Sequence, residues 1–466
     1  MSKLWKLSAL EMAEHVRTGQ TSSRELLEAH LERIDEVNPH LNAVVRRLDE
    51  QALAAADAAD VAVAAGGQLG PLHGVPCTVK ENIDVAGTPT TQAVTALAEA
   101  IAPIDAPTTA RMRAAGAIPF ARTNLPDFGL RVHTDSQLHG LTRNPWNPDV
   151  TAGGSSGGEA SAIASGMSPI GLGNDIGGSL RNPAHCCGIA SLKPTVGVIP
   201  MATSVPPEDN MIAAQLMVVE GPMARTVADV RVGLDVLAGP DIRDPRTVPA
   251  ILTDAADGER LRIAVLADPP GGSTDAGIAG AIVGVADRLA DAGHEVVEVT
   301  PPDYELAIDI WCRLLMADLR AQADLLAMVM GDGGRQVVAN LDARVADTDF
   351  PLMLTLHAER NQVMRSWSAF FADHPVLLCP TWAHRAFRHD EDLDPDNFDH
   401  ILETMRPVVI ANLLGSPAAI TPAGVVDGLP VGAQVMGDRF TDLRCLTVAA
   451  EIESLVGTVT PIDPIT

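Results

Sequence analysis

The sequence predicts an α/β fold built as one large domain. A hydrophobic fraction of 46% is ample for a large core, and an aromatic fraction of only 3% means that aliphatic side chains must fill it. From residue 71 to residue 200, short apolar runs alternate with Gly-rich turns and helical stretches, which is typical of strands in an α/β sheet. We find no linker, low-complexity stretch or internal repeat, so we expect a single domain over residues 1–466.

The N-terminal 68 residues predict helices. Two Ser-x-x-Glu sequences, Ser8–Glu11 and Ser22–Glu25, have the spacing of a capping box, in which the two side chains satisfy amide donors at a helix start. Apolar residues recur at helical spacing after the second box. The Ala-rich stretch 52–65 predicts a third helix, ended by Gly66 and Gly67.

The rest of the chain predicts alternating strands and helices. The predicted strands are Val75–Val79, Ala117–Ala121, Ile170–Leu172, Leu261–Leu266, Val296–Val299 and Val376–Cys379. The predicted helices are Arg225–Leu237, Ala276–Ala292 and most of 305–375. We interpret the Gly- and Pro-rich stretch Gly415–Gly437 as a loop region.

The charge balance and the cysteines exclude several classes of function. Lys and Arg number 33 against 60 Asp and Glu, which gives 33 − 60 = −27. A field of that sign repels phosphate backbones and anionic membranes, so we expect neither nucleic acid nor membrane as a partner. The six cysteines have no C-x-x-C spacing, which disfavours zinc and redox motifs. The first residues lack an apolar signal core and no run approaches 18 apolar residues, so we expect a cytoplasmic protein.

Three Gly-containing segments carry residues suited to catalysis. The first, Gly70–Asp84, places Lys80 at the end of an apolar run. The chain has only four lysines against 29 arginines (33 − 4), and a lysine can lose its proton in a dry site whereas an arginine cannot. A strand-end lysine more commonly reaches for water, so this segment alone does not establish a site.

The other two segments carry serines. Gly153–Glu159 contains Ser155; a linker or a phosphate cradle is the alternative, but the P-loop ending and the dinucleotide spacing are missing. Asn174–Ala184 contains Ser179 after two glycines, which lets the backbone aim successive amides at one point, as an oxyanion hole requires. A simple Gly-Gly turn is the alternative there.

In order and spacing, the three segments together resemble the amidase signature family. The likeness continues through Asn144–Pro148, Cys187–Gly197 and Gly221–Asp229, and is strongest from about residue 69 to 240. The resemblance implies the amidase signature fold, a single α/β/α domain with a central mixed β-sheet flanked by helices. We expect a helical segment at 1–68, the signature core at 69–240, and an α/β remainder at 241–466 with a helical, substrate-shaping insertion near 305–400.

The resemblance also implies roles for individual residues. It assigns Ser179 as nucleophile, Ser155 as a proton relay held by a cis peptide bond, and Lys80 as general base. The implied oxyanion hole consists of the amides of Ile176, Gly177, Gly178 and Ser179. Asp175 and Arg181 are implied to brace the loop through charge-assisted hydrogen bonds. The expected substrate pocket includes Phe128, Gly129, Leu130 and Gly154.

The implied function is hydrolysis of amide C–N bonds through an acyl-enzyme, which extends to anilides, carbamates (urethanes) and esters because the acyl chemistry is shared. We expect a small-molecule substrate, no cofactor, no metal, and a monomer or homodimer. One alternative is the A subunit of a glutamyl-tRNA amidotransferase, which the net charge disfavours. Another is a non-catalytic binding protein of the same fold, against which the intact set of three residues argues.

Two further features are a His- and Asp-rich stretch and a departure from the family pattern. The His- and Asp-rich stretch 384–400 matches no standard ligand spacing and is predicted to be a solvated loop. Asn174 stands where family members often have Thr, and we expect this departure to reshape the pocket without removing a proton-transfer group.

Overall fold

The computed structural model describes residues 3–256 and 258–465, so the two N-terminal residues, residue 257 and residue 466 of the predicted domain lie outside the described residues. The helices in this part of the chain are α1 (Ala9–Thr18), α2 (Ser23–Leu41), α3 (Asp49–Ala64), α4 (Pro107–Ala114), α5 (Gly157–Ala164), α6 (Arg181–Cys187), α7 (Ile212–Met217), α8 (Val227–Leu237), α9 (Ala276–Asp291), α10 (Tyr304–Ala321), α11 (Ala323–Val329), α12 (Asp332–Asp342), α13 (Phe350–Asp373), α14 (Phe398–Leu414) and α15 (Asp442–Val456). The strands are β1 (Val44–Arg47), β2 (Pro76–Lys80), β3 (Ile118–Thr123), β4 (Asp135–Ser136), β5 (Gly140–Leu141), β6 (Ile170–Asp175), β7 (Ala190–Lys193), β8 (Val219–Ala224), β9 (Arg262–Val265), β10 (Glu295–Glu298), β11 (Val376–Pro380), β12 (Ala418–Val426) and β13 (Leu429–Met436).

Eleven of these described strands form one mixed sheet, in the order β1-β3-β2-β6-β8-β7-β12-β13-β11-β9-β10. Strand β2 runs parallel to both of its neighbours, β3 and β6. The strands from β6 through β8, β7, β12 and β13 to β11 are successively antiparallel. Because β2 and β6 are parallel, their carboxyl ends lie at the same edge of the sheet, which is where α/β sheets commonly bind ligands. The predicted mixed sheet flanked by helices is confirmed.

The side chains of β2 show that helices cover both faces of the sheet. Cys77 and Val79 pack into a hydrophobic cluster with residues of α1, α4, α8 and α15. Because successive side chains of a strand point to opposite faces, Thr78 and Lys80 face the other side, where Thr78 donates a hydrogen bond to Glu159 of α5. The predicted strand ending at Lys80 is therefore confirmed, and its polar face meets α5.

Both predicted capping boxes are present. The Ser8 hydroxyl accepts from the Glu11 amide while the Glu11 carboxylate accepts from the Ser8 amide, and α1 begins at the next residue. Ser22 and Glu25 make the same reciprocal pair at the start of α2. These bonds satisfy amides that would otherwise have no partner at a helix start.

The stretch Gly415–Gly437 is not the loop region that the sequence predicts. It forms the hairpin β12–β13 in the interior of the sheet. Proline is tolerated because Pro422 lies beyond Ala418–Ile420, the part of β12 that pairs with β7, and the register against β13 shifts directly after it. The N-terminal segment also differs from a purely helical one, since it contributes β1 at the sheet edge, antiparallel to β3.

The stretch 305–375 is helical, as predicted, and forms α10 to α13. Together with α14 these helices enclose a second hydrophobic cluster that contains Trp311, Trp367 and Trp382. Within the described ranges, no helix is both long enough and apolar enough to cross a membrane. The helices therefore add a second core, which borders the sheet edge where β2 and β6 end.

Candidate active site

Lys80 lies at the centre of a buried polar site. Its side chain is completely shielded from solvent, and its Nζ lies 2.7 Å from Ser155 Oγ and 2.7 Å from Asn174 Oδ1. Burial lowers the pKa of Lys80 to about 7, because the desolvated ammonium is less stable than the neutral amine. Lys80 therefore has a substantial neutral fraction near neutral pH.

Two buried glutamates lie near this lysine, and folding raises the pKa of each. Glu159 accepts hydrogen bonds from Thr78 and Thr123, and burial raises its pKa to about 7. Glu220 accepts one hydrogen bond from Thr108, and burial raises its pKa to about 8. Burial thus reduces the negative charge that both groups present to Lys80.

Ser155 lies in the turn that leads into α5. The peptide bond between Gly154 and Ser155 is cis, as the resemblance implies. Gly129 packs against the serine so closely that a Cβ on it would lie 3.0 Å from Ser155 Oγ, and its φ of +70° also favours glycine. The hydroxyl of Ser155 therefore sits between the lysine and the wall that Gly129 forms.

Asp175 and Arg181 form a fully buried ion pair at the two ends of the loop that carries Ser179. Arg181 Nε and Nη2 donate to the two Asp175 oxygens at 3.0 and 2.9 Å. Burial alone would raise the pKa of the Asp175 carboxyl, but the Arg181 guanidinium holds it well below its ordinary value. The other Arg181 donors reach Val408, Asn412 and Gln434, so the pair also joins the loop to α14 and β13.

The backbone amides of this loop divide into two groups. Gly178, which the sequence analysis places in the oxyanion hole, donates its amide to Asp175 Oδ1 at 2.9 Å, so this amide holds the loop in shape instead. Its φ is +102° and a Cβ on it would lie 2.7 Å from the Val408 side chain, so the position requires glycine. Within the part of the chain that the structure describes, the amides of Ile176, Gly177 and Ser179 make no such bond.

Two cavities meet at Ser179. The larger, of about 310 Å³, is lined by both serines, Asn174 and Glu220. The smaller, of about 80 Å³, is largely apolar and shares Ser179 with the first. Its apolar walls come from α10, α12 and α14, through Trp311, Leu315, Leu319, Val337, Val338, Leu341, Phe398, Ile401, Leu402 and Met405. Ser179 therefore lies between a larger cavity with mixed polar and apolar walls and a smaller apolar one.

Three of the four expected pocket residues line these cavities. Phe128, Gly129 and Leu130 line the larger one, and the latter two also line the smaller. Gly154 lines neither cavity, so its place in the substrate pocket stays a prediction. A Cβ on it would lie 2.5 Å from the backbone of His133, so Gly154 allows close packing of two chain segments.

Several residues of the site are missing from the sequence-based prediction. Trp311 Nε1 donates to the Ile176 carbonyl at 3.0 Å, and Asn412 Nδ2 donates to Asp175 Oδ1 at 2.9 Å. Neither residue belongs to a motif, and both lie more than a hundred positions from the loop that they contact. The sequence gives a weak indication of Glu220, because this charged residue directly follows an apolar stretch and directly precedes Gly221–Pro222.

The stretch 384–400 is anchored rather than solvated throughout. Arg131, which is buried, donates to Asp390 and Asp392, and His389 Nε2 lies 2.7 Å from the Pro148 carbonyl oxygen. No cluster of three or more potential metal ligands occurs among residues 3–256 and 258–465. These contacts fix the stretch against Arg131 and Pro148, and Arg131 and Asp392 also line the smaller cavity.

Comparison with known proteins matches nearly the whole chain. A protein-family model described as Amidase matches residues 25–446. Indoleacetamide hydrolase of Bradyrhizobium diazoefficiens is 40% identical, over 97% of this chain and 87% of that protein. The A subunit of the glutamyl-tRNA(Gln) amidotransferase of Salinispora arenicola is 32% identical, over 99% of each chain. Among solved structures, a bacterial aryl acylamidase of the amidase signature enzymes has a TM-score of 0.83 at 29% identity, covering 98% of this chain and 96% of that one.

Proposed function

The chain belongs to the amidase signature family and is a hydrolase of amide C–N bonds, and we propose that Lys80, Ser155 and Ser179 are its catalytic residues. In the proposed mechanism Ser179 Oγ bonds to the carbonyl carbon while its proton passes to Ser155 and the Ser155 proton passes to Lys80. The C–N bond then breaks, and the proton returns through Ser155 to the departing nitrogen. Water attacks the resulting ester by the same relay and releases the carboxylic acid and Ser179.

The contact between Lys80 and Ser155 is the observation that carries this proposal. A general base must lie within hydrogen-bond reach of the proton it takes and must have a pKa near the working pH. The 2.7 Å separation of Lys80 Nζ from Ser155 Oγ satisfies the first condition, and the pKa of about 7 satisfies the second. An arginine at this position would stay protonated and could not act as the base.

The second proton transfer requires Ser179 Oγ to approach Ser155 Oγ. No hydrogen bond joins these hydroxyls in the described part of the chain, although both line the larger cavity. Catalytic hydrogen bonds often tighten only when substrate is bound, and a serine hydroxyl needs only a χ1 rotation to change its partner. In our proposal, the Ser179 side chain makes that rotation when the carbonyl group of a substrate is bound beside it.

We assign the oxyanion hole to the amides of Ile176, Gly177 and Ser179. These are the loop amides that are free to donate, because the Gly178 amide already serves Asp175. Amides fixed in place before the reaction stabilise the developing negative charge without a reorganisation cost. The Asp175–Arg181 pair supports this assignment, since it holds both ends of the loop.

For the substrate we propose amides with an arylacetyl group, including primary amides and anilides. The apolar cavity beside Ser179, with Trp311 and Phe398 in its walls, suits an aryl acyl group. The larger cavity suits the leaving nitrogen and any substituent on it. The 40% identical relative is named for hydrolysis of indoleacetamide, which is a molecule of this class.

The A subunit of a glutamyl-tRNA amidotransferase is the less supported alternative. The relative with that name is 32% identical, against 40% for the indoleacetamide hydrolase, although it covers the chain equally well. The net charge of −27 also opposes a surface that binds tRNA.

The variant Ser179→Ala tests the proposed function. We expect it to fold as the wild type does and to lose turnover of phenylacetamide and phenylacetanilide, together with labelling by a fluorophosphonate probe. Ser454→Ala is the matched control, because this serine lies on the exposed side of α15 and bonds only to a backbone carbonyl. Undiminished hydrolysis in Ser179→Ala would refute the assignment.

A further inference from the structure

Lys80 has a second hydrogen-bond partner besides Ser155. Its Nζ donates to Asn174 Oδ1 at 2.7 Å, and Asn174 is 8% exposed and lies one residue before the end of β6. Strands β6 and β2 are adjacent and parallel, so Asn174 reaches the lysine from the neighbouring strand. The proposed base is therefore held from two directions.

The chemistry of an amide oxygen gives this contact a direction. A neutral amine has two N–H donors and one lone pair, and an amide oxygen can only accept. When Lys80 is neutral, it must therefore use one of its two N–H groups to donate a hydrogen bond to the Asn174 oxygen. Its lone pair then remains available to accept the proton of the Ser155 hydroxyl, as the proposed base must do.

The amide is also uncharged, which matters for the protonation state of the lysine. The acidic groups that face Lys80 from the surrounding elements are Glu159 on α5, Asp175 on β6 and Glu220 on β8. Glu159 and Glu220 accept hydrogen bonds from threonine hydroxyls, and Asp175 is paired with Arg181. Asn174 thus supplies an acceptor in direct contact with the amine without adding a full negative charge, which would favour the ammonium form.

We propose that Asn174 is a positioning residue for Lys80, orienting the amine toward Ser155 and leaving it able to lose its proton. This inference rests on the proposed function, because it assumes that Lys80 is the base. Asn174 acts through Lys80, so its substitution must change the turnover number or its pH dependence more than the KM.

Two variants of Asn174 distinguish the effect of its hydrogen-bond acceptor from the effect of its lack of charge. Asn174→Leu keeps the approximate shape and removes the acceptor, so kcat for phenylacetamide should fall at least about tenfold, which is less than the roughly 10²–10⁴-fold that complete loss of a general base causes, with little change in KM. Asn174→Asp keeps the acceptor and adds a charge, so the acidic limb of kcat/KM should move to higher pH by about 1–3 units. Its activity should then approach that of the wild type at high pH.

Asn147→Asp is the control for the charge change, because Asn147 bonds to a nearby backbone amide and lines neither cavity. It should keep the wild-type pH profile. The inference fails if Asn174→Asp keeps the acidic limb of kcat/KM at the wild-type pH, or if a folded Asn174→Leu keeps the wild-type kcat. In that case an inactive Ser179→Ala would leave the proposed function intact, whereas an active Ser179→Ala would remove the proposed function itself.

Discussion

At the scale of single residues, the proposed mechanism depends on a lysine that is fully shielded from water. Of the four lysines, Lys80 and Lys193 are fully buried, and burial lowers the pKa of each to about 7. Lys193 donates to the backbone carbonyls of Pro194 and Ser416, which gives it a structural role. Lys80 contacts a serine hydroxyl instead, so of these two buried lysines it is Lys80 that has a partner able to give it a proton.

The pH dependence of kcat/KM follows from this lysine. The base must be neutral, so kcat/KM should rise with pH as the amine loses its proton, with a midpoint near the Lys80 pKa of about 7. Lys80→Arg should be inactive across the range, because arginine stays protonated. Initial rates with phenylacetamide at low substrate concentration measure both. A flat profile between pH 6 and 8, or an active Lys80→Arg, would contradict the assignment of the base.

At the scale of elements, the loop between β6 and α6 is shaped by its two ends. Strand β6 ends at Asp175 and helix α6 begins at Arg181. The Asp175 carboxylate accepts hydrogen bonds from the amides of Gly178 and Leu180 as well as from the Arg181 guanidinium. Within the described chain the amides of Ile176, Gly177 and Ser179 have no hydrogen-bond partner, and these three residues line the smaller cavity. The same ion pair therefore stabilises the fold and sets the geometry of the proposed oxyanion hole.

Removing the guanidinium should cost stability and activity together. Arg181→Met leaves the Asp175 carboxylate buried without its main partner, which costs about 3–5 kcal/mol for pairs of this kind. Arg17→Met removes an exposed pair with Glu14 and should cost at most about 1 kcal/mol. Denaturant unfolding of the two variants compares the losses. Equal losses would show that the buried pair does not support the loop.

The helices α10, α12 and α14 should determine the acyl group. Val337→Phe on α12 fills part of the smaller cavity, and losing space for even one methylene corresponds to about 1–3 kcal/mol in an apolar pocket. We expect kcat/KM to fall about tenfold or more for phenylacetamide and little for acetamide. Val283→Phe, at an exposed position of α9, controls for the added ring. An equal fall in kcat/KM for phenylacetamide and acetamide would show that the aryl group does not bind in the smaller cavity.

The sequence predicts elements whose signals are local, and misses contacts that depend on distant parts of the chain. The capping boxes and the strand ending at Lys80 follow from short-range chemistry and are confirmed. The β12–β13 hairpin is missed because Gly and Pro usually mark loops, whereas here Pro422 lies where one side of the strand has no neighbour. The commitment of the Gly178 amide to Asp175 is missed because residue order does not show which amides a carboxylate will accept.

At the scale of the whole molecule, one sheet brings together segments that are far apart in the sequence. Lys80 comes from β2, Ser155 precedes α5 and Ser179 follows β6, and the three meet because β2 and β6 end at the same edge. The helices from 305 onward then close the site with a second core. Membership of the amidase signature family is predicted from the motifs and confirmed over nearly the whole chain. The proposed aryl specificity could not be predicted in the same way, because the walls of the smaller cavity come mostly from segments without motifs.

Identification of the acylated residue tests the central proposal most directly. Wild-type enzyme mixed with 4-nitrophenyl phenylacetate, quenched in acid and digested, should carry a phenylacetyl group on the peptide that contains Ser179. Mass spectrometry locates the group, and the Ser179→Ala variant should carry none. A phenylacetyl group on a different residue, or rapid hydrolysis of the ester by Ser179→Ala, would contradict an acyl-enzyme on Ser179.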